Sequence, residues 1–404
     1  MSNQIWYHVD VNAAFLSWTA AREVHIKGSG VDLRRMAAVI GGSEKDRHGI
    51  VLAKSDRAKA FGIKTGESLV EARNKCPGLI IVPPDYELYV SCSRGLIRLL
   101  ETYCPYVHQY SIDEAFCCMS GTETLFGSPV VFARQLKDEI RETLGFTVNI
   151  GVSDQKLLAK MASGFEKPDK VHTLFREEIQ KKLWPLPVNR LFWVGRAAAG
   201  KLRNLGIRTI GQLANADLEL LKVHLKKHGE YIWHYANGRD PSPFLRQLPE
   251  NKGYGNSMTV PFDVRDAHRA RQVILSLTET VCARLRADHM KASCVSISIT
   301  DREFGRSSAQ KTLYSETDAT LEIYHQACSV FESLWDGSPI RQLGVHTGRV
   351  VSHAPYQYNL LGTDCNEKFT KLDAAADAIR KNTGRTPDAG VIFKESPSSY
   401  GRRN

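Results

Sequence analysis

The feature that most constrains this chain is an apolar strand near its start that runs into an acidic side chain. Residues 5–11 have the composition of a buried strand, and Asp10 lies at its end. Burying an unpaired carboxylate is costly, so a carboxylate at this position needs partners. We therefore expect Asp10 to have partners in the folded chain, among which a metal ion is one alternative.

A second acidic feature, the pair Asp113-Glu114, lies between two later strand-like runs, residues 106–111 and 115–119. Neighbouring residues on a regular strand point to opposite faces, so both carboxylates reach one site only if the chain kinks at a hairpin tip. Two Mg²⁺ ions need shared carboxylates and suit phosphoryl transfer. Position alone leaves a second interpretation open, because Asp-Glu pairs at turns are commonly only solvated.

The order of the predicted elements divides the chain into two α/β (α+β) parts. Residues 5–152 follow a βα(ββ)αβ order, with an insertion at about 25–78 that contains a hairpin. Short helices follow from about 167. After a linker that contains three prolines, the pattern from 256 to 351 is β-α-β-β-α-β. The basic, serine-containing end at 396–404 is expected to lack regular structure.

The charge distribution indicates a polyanionic partner. The net charge is +10, and residues 186–355 contain 22 Lys and Arg against 16 Asp and Glu, a net +6. Charge alone leaves nucleic acid and a membrane surface both open. No apolar run of about 18 residues predicts a membrane-spanning helix. The first residues do not resemble a secretory signal, and nine scattered cysteines fit a reducing cytosol.

Residues 187–214 resemble the helix-hairpin-helix family of DNA-binding motifs, with a core built on Val-Gly and Leu-Gly-Ile steps. Glycines permit a tight turn whose backbone amides hold a phosphate without reading sequence. We expect Gly195, Arg196, Gly206 and Arg208 to contact DNA. An αα-hairpin that only packs on its neighbours is the alternative.

Taken in order, several segments resemble Y-family DNA polymerases of the bacterial DNA polymerase IV group. The matching blocks are HVDVNAAF at 8–15, AFGIKTG at 60–66, YSIDEAF at 110–116, NIGVS at 149–153 and LAKMAS at 158–163, followed by KPD at 167–169. The resemblance spans about residues 5–360. Several blocks in the same order are more specific than any single motif.

The resemblance implies a right-hand polymerase with four domains and a tail. The palm is expected at 1–24 and 78–166, with the fingers inserted at 25–77. A thumb that carries the hairpin motif follows at 167–240. The β-α-β-β-α-β little finger is expected at 241–355, and the C-terminal tail at 356–404.

The resemblance also implies the catalytic centre. Asp10, Asp113 and Glu114 are expected to be the catalytic residues and to hold two Mg²⁺ ions, for which Mn²⁺ can substitute. The carbonyl of Val11 is a further expected ligand. Asn12 stands where the family frequently has a second Asp, which casts doubt on catalytic efficiency.

The nucleotide site is expected to combine an aromatic residue with cations. Phe15 falls at the steric gate, where a ring blocks a ribose 2′-hydroxyl, and Lys167 corresponds to a lysine on the incoming triphosphate. The family usually has Tyr-x-Ala-Arg in the fingers, but here the aligned stretch begins with Asp56 and ends with Lys59. Lys59 keeps a cation without the bidentate fork of arginine. Ser55 and Arg57 are alternative candidates for the missing contact.

Near the end of the chain, QYNLL at 357–361 resembles the short motif that docks bacterial polymerases on the sliding clamp. We expect Gln357, Leu360 and Leu361 to contact the clamp. The other expected partners are primer-template DNA and a dNTP. A cytoplasmic monomer without membrane contact is predicted.

The sequence therefore predicts a template-directed, low-fidelity DNA polymerase that tolerates damaged templates. Two alternatives remain. A non-catalytic, polymerase-like accessory protein would bind DNA and the clamp, and the unusual residues at 56 and 59 mildly favour it. A nucleotide cyclase with a palm fold would share the acidic ligands but would need neither the hairpin motif nor the basic C-terminal half.

Overall fold

The computed structural model describes residues 4–43, 49–240, 251–352 and 365–383. The described residues divide into two compact units, the first within 4–240 and the second within 251–383. No helix within the described ranges is both long enough and apolar enough to cross a membrane.

The first unit contains two sheets and most of the helices. Its elements, in chain order, are β1 (Trp6–Val11), α1 (Ala14–Ala21), β2 (Ala38–Gly41), β3 (Val51–Lys54), α2 (Asp56–Ala60), α3 (Leu69–Lys75), β4 (Ile80–Val82), α4 (Tyr86–Tyr103), β5 (Tyr106–Gln109), β6 (Glu114–Cys118), α5 (Glu123–Phe126), α6 (Pro129–Leu144), β7 (Val148–Ser153), α7 (Lys156–Ser163), β8 (Val171–Thr173), α8 (Arg196–Asn204), α9 (Ile210–Ala214), α10 (Leu218–Leu225) and α11 (Lys227–Ala236).

The larger sheet of this unit has the strand order β5-β6-β1-β7-β8, so the predicted first strand lies at its centre. β1 pairs antiparallel with both β6 and β7. Alternate residues point to opposite faces of a strand. Tyr7 and Val9 are buried in the core that α4 and α6 help to form, whereas His8 is buried on the side of α7. Burial on both faces explains why the strand is apolar almost throughout.

The predicted insertion forms two strands of a small three-stranded sheet of order β3-β2-β4, and the third strand, β4, lies just beyond the predicted boundary at 78. The expected hairpin is confirmed, because β2 and β3 pair antiparallel, with Val39 opposite Lys54. β4 pairs parallel to β2 and returns the chain to the first sheet. Val51 and Leu69 are buried in the core between this sheet and its helices.

Four helices end the first unit, and two of them form the predicted hairpin. α8 ends before Gly206, which adopts a φ of +80°, a left-handed conformation that glycine adopts without strain. Thr209 then caps α9 by accepting a hydrogen bond from the amide of Gln212. The glycine turn and the cap together explain where one helix ends and the next begins.

The second unit confirms the predicted β-α-β-β-α-β order. Its elements are β9 (Gly253–Val264), α12 (Ala267–Ala287), β10 (Lys291–Asp301), β11 (Arg306–Thr317), α13 (Thr320–Leu334), β12 (Ile340–Val351) and α14 (Cys365–Thr383). The antiparallel sheet has the order β11-β10-β12-β9. Apolar side chains from α12 and α13 pack with those of the sheet in one core.

Helix α14 lies within the segment predicted as a tail. Arg286 of α12 binds it through Asp377, at 2.6 Å, and Asp373, at 3.3 Å. Asp373 also accepts a hydrogen bond from the amide of Thr320 at the start of α13. The second compact unit therefore includes this helix, beyond the predicted boundary at 355.

Candidate active site

The two acidic features of the sequence meet in the larger sheet. The register of β1 and β6 places Asp10 directly opposite Glu114. One residue further along, the amide of Val11 donates a hydrogen bond to the carbonyl of Asp113 at 3.0 Å. Antiparallel pairing thus brings carboxylates from distant parts of the chain to the same end of two adjacent strands.

Asp113 lies in the turn before β6 and not in the strand itself. The amides of Tyr110 and Ser111 both donate to the carbonyl of Glu114, which closes the turn between β5 and β6. The hydroxyl of Ser111 lies 2.6 Å from Oδ1 of Asp113 and orients that carboxylate. Because only Glu114 follows strand alternation, the two neighbouring carboxylates need not point to opposite faces. The kink that the sequence required is present.

Glu114 is surrounded by polar side chains from β1 and α7. Its Oε2 lies 2.7 Å from Nζ of Lys160 and 3.8 Å from Nε2 of His8. Burial alone would raise the pKa of Glu114, but the Lys160 ammonium beside Oε2 lowers that pKa to about 2. This carboxylate is therefore an anion at neutral pH.

Asp10 is paired with Lys167, whose Nζ lies 2.6 Å from Oδ1. Burial raises the pKa of Asp10. Lys167 opposes that rise, whereas the charges of Glu114 and Asp113 add to it. The two carboxylates raise the pKa of Asp10 because their negative charges lie close to it.

Asn12 is a buried bridge that fixes the loop carrying Lys167. Its Nδ2 donates to Oδ1 of Asn149 at 3.1 Å, and its Oδ1 accepts from the amide of Asp169 at 2.9 Å. Asn149 uses its own Nδ2 on the carbonyls of Ser163 and Glu166, and its Oδ1 accepts from the amide of Lys170 at 3.2 Å as well as from Asn12. An ionised aspartate at position 12 could not donate that bond. The departure from the family pattern therefore has a structural reason.

We call Asp10, Asp113 and Glu114 the acidic cluster. A cavity of about 570 Å³ opens beside this cluster and extends to the small sheet. Its lining includes Asp10, Asp113, Phe15 and Lys167 from the larger sheet and its loops. The ring of Phe15 stacks on Tyr89, with 4.3 Å between centroids and an interplanar angle of 5°. Phe15 therefore presents a rigid aromatic wall to the cavity.

The opposite wall of the cavity carries the predicted fingers residues. Asp56 and Lys59 both line it, as does Lys54, which the sequence did not indicate. Ser55 lines it too, but its hydroxyl donates to the carbonyl of Met36 and accepts from two amides, those of residues 38 and 58. That set uses the full hydrogen-bonding capacity of a hydroxyl. Ser55 therefore shapes this wall and caps α2.

The donor set fits hard divalent cations, because every candidate ligand is an oxygen. Within the described residues, no three His, Cys, Asp or Glu side chains are placed to hold a metal ion as they stand. Lysine nitrogens lie on the oxygens of Asp10 and Glu114 instead. A cation at Asp10 requires Lys167 to move away, and that lysine is 39% exposed.

The hairpin residues lie together on the helical part of the first unit. Gly195 precedes α8, and no side chain caps this helix, so its first-turn amides are available to an anion. Arg196 and Lys201 line the adjacent cleft. Gly206 and Arg208 lie in the turn between α8 and α9. The expected clamp residues Gln357, Leu360 and Leu361 lie outside the described residues.

Comparison with known proteins follows the same division of the chain. A family model described as impB/mucB/samB family matches residues 9–164, and one described as the C-terminal domain of that family matches residues 251–360. The chain belongs to the impB/mucB/samB family. The first match lies in the first unit and the second lies mostly in the second unit, and each unit combines sheets with helices.

Named relatives agree with this family. The chain is 42% identical over 383 residues to "DNA polymerase IV" of Clostridium acetobutylicum, an alignment that covers 95% of this chain and 96% of the relative. It is 32% identical over 410 residues to "DNA polymerase IV 2" of Bacillus subtilis, covering 100% and 97%. The prediction of membership in the DNA polymerase IV group is confirmed.

A solved structure supports the fold. A Y-family DNA polymerase chimera superposes with a TM-score of 0.72 at 21% sequence identity, covering 86% of this chain and 100% of the chimera. The predicted α/β (α+β) fold of the Y-family type is confirmed.

Lys160, His8 and Ser163 are site residues that the sequence did not single out. They support Glu114 from behind the acidic cluster. One sequence signal could have indicated Lys160, because α7 otherwise consists of buried residues from 157 to 163. A lysine within a buried helix requires an acidic or polar partner.

Proposed function

We propose that this chain is a template-directed DNA polymerase of the lesion-bypass type, which adds dNTPs to a primer 3′-end with low fidelity. One observation carries the proposal. Asp10 lies opposite Glu114 and, together with Asp113, lines a cavity whose other walls supply an aromatic ring and lysines. Such a cavity suits a nucleoside triphosphate, because the ring faces a sugar and the lysines face phosphates.

The proposed mechanism assigns roles to these groups. Two divalent ions, when bound, would activate the primer hydroxyl and neutralise the triphosphate charge. Asp10, Asp113, Glu114 and the carbonyl of Val11 would hold them. The chain itself contributes mainly positioning and fixed charge, which are the dominant contributions in phosphoryl transfer. Lys167 would leave Asp10 and bind the triphosphate as a point charge.

Primer extension tests the proposal directly. Wild-type protein is expected to extend a primer on an undamaged template with dNTPs and Mg²⁺ or Mn²⁺, and to insert a nucleotide opposite an abasic site. Unaltered duplex binding with no incorporation under either metal would instead support the non-catalytic accessory interpretation. A cyclic nucleotide product would support a cyclase.

Asp56 is expected to weaken nucleotide binding, because its carboxylate lines the cavity that would receive a polyanion. Replacing Asp56 with asparagine removes this like charge and is expected to lower the KM for dNTP by about three- to tenfold. Steady-state single-nucleotide incorporation measures the change. Glu71→Gln is a matched control on the adjacent helix α3, where the acid lines a different surface depression. An unchanged KM in Asp56→Asn would refute this role.

We further propose that Gly195, Arg196, Gly206 and Arg208 hold duplex backbone phosphates. Arg196→Ala and Arg208→Ala are each expected to weaken duplex binding equally across sequences. Each should also reduce the slope of log K against log salt by about one. Fluorescence anisotropy over a salt series measures both quantities. A loss of affinity that depends on base sequence would contradict a phosphate contact.

The sliding clamp is a further proposed partner, through Gln357, Leu360 and Leu361. Clamp binding by the full chain, compared with a variant carrying alanine at these three positions, decides this proposal. We also propose that the protein is a monomer and lies in the cytoplasm.

A further inference from the structure

In the first unit, the ammonium group of Lys160 contacts four other side chains. Its Nζ lies 2.7 Å from Oε2 of Glu114 and 3.4 Å from Nε2 of His8. It also lies 4.7 Å from the ring centroid of Tyr110 and 5.3 Å from that of Phe192. Each of these contacts favours an ammonium group, including the two ring faces.

The tautomer of His8 follows from its other neighbour. The hydroxyl of Ser163 donates to the carbonyl of Lys160 at 2.9 Å, so it accepts from Nδ1 of His8 at 2.7 Å. The Lys160 ammonium, 3.4 Å from Nε2 of His8, can only donate, so Nε2 is the acceptor in this contact. Ser163 and His8 therefore fix Lys160 from the protein side.

The two lysines of the acidic cluster differ in their surroundings. Lys167 is 39% exposed and pairs with Asp10, whereas Lys160 is 14% exposed and lies among four groups. A lysine with one partner and open solvent exchanges that partner easily. Lys160 would lose two polar contacts and two ring contacts if it moved.

We propose that Lys160 is a positioning residue that stays on Glu114 as a fixed counter-cation when the cavity fills, while Lys167 leaves Asp10. This inference rests on the proposed polymerase function. Both contacts of Glu114 go to Oε2, which leaves Oε1 for a divalent ion. A permanent positive charge beside that carboxylate repels bare divalent ions, so metal binding depends on the negative charge that the nucleotide brings.

The test measures Mn²⁺ binding to the free protein, without DNA or nucleotide, from the electron paramagnetic resonance signal of unbound Mn²⁺. Lys160→Met is expected to bind Mn²⁺ about tenfold more tightly than wild type, because the repelling charge is gone. The same variant should show a kcat about tenfold lower with little change in the KM for dNTP, because Glu114 loses its orientation. A residue that only supported folding would not tighten metal binding while slowing turnover.

Three further variants sharpen the result. Lys160→Arg keeps the charge and should leave Mn²⁺ affinity near that of wild type. Lys156→Met removes the same charge one turn earlier on α7, where the lysine lies 4.5 Å from the ring of Trp6, and should change Mn²⁺ affinity less than twofold. Lys167→Met should raise the KM for dNTP, unlike Lys160→Met.

Mn²⁺ binding by Lys160→Met that equals or falls below that of wild type overturns the inference. Should Lys160→Met fail to fold, tighter Mn²⁺ binding by Lys160→Gln decides the question by the same criterion. Failure of the polymerase proposal looks different, because wild type itself would then extend no primer. Wild-type extension with unchanged Mn²⁺ affinity in both variants rejects only the role of Lys160.

Discussion

Replacing Glu114 with glutamine is expected to lower the rate of nucleotide incorporation by about 10³-fold or more, with duplex affinity unchanged. Glutamine has nearly the same shape but lacks the charge that a divalent ion needs. The pKa of the wild-type Glu114 carboxylate is lowered to about 2, so this group is ionised at neutral pH. The substitution therefore removes a full negative charge. Single-turnover incorporation of one dNTP on a fixed primer-template measures the effect.

Two controls separate chemistry from folding in that experiment. Glu142→Gln makes the same change on an exposed part of α6 and should leave the rate unchanged. Asp113→Asn should reproduce the loss, because Asp113 is proposed to hold the same ions as Glu114. Lys160 binds Glu114, whereas Asp113 is bound by Ser111, so a loss in Asp113→Asn would not come from releasing Lys160. Incorporation by Glu114→Gln within tenfold of wild type, in a protein of unchanged melting temperature, would exclude a metal-binding role for this carboxylate.

The sequence predicted the fold well where hydrophobic periodicity was long. β1 was located as a short apolar run, because both of its faces are buried, and the helices α12 and α13 were located by their helical periodicity. The short strand β8 was missed, since three residues carry no periodicity. Helix α14 was also missed, because its docking depends on Arg286, a tertiary contact that no local pattern reveals.

The candidate site was predicted in its acidic residues but not in its supporting ones. The resemblance located Asp10, Asp113 and Glu114, and strand pairing then placed Asp10 opposite Glu114. The sequence could not show that α7 lies against β1, so the contact between Lys160 and Glu114 went unseen. It also could not show that Asn12 donates to the buried Asn149, which lies far away in sequence.

Replacing Phe15 with alanine is expected to raise incorporation of ribonucleotides relative to deoxyribonucleotides by about 10²-fold. In wild type the ring lines the cavity and stacks on Tyr89, so it cannot swing away from an added 2′-hydroxyl without losing that contact. Alanine leaves space where the hydroxyl would fit. The ratio of kcat/KM for each dNTP and its matching rNTP measures the selectivity.

The rigidity of the Phe15 ring provides the control for this prediction. Tyr89→Phe keeps the stacked ring and removes only a hydroxyl that lies 3.4 Å from Thr19, so its sugar selectivity should match that of wild type. Tyr89→Leu removes the stacking partner and should relax selectivity less than Phe15→Ala does, because the ring remains but gains freedom. Phe15→Ala with wild-type selectivity would show that another wall of the cavity excludes the ribose. Equal losses in Phe15→Ala and Tyr89→Leu would show that selectivity depends mainly on how firmly the ring is held.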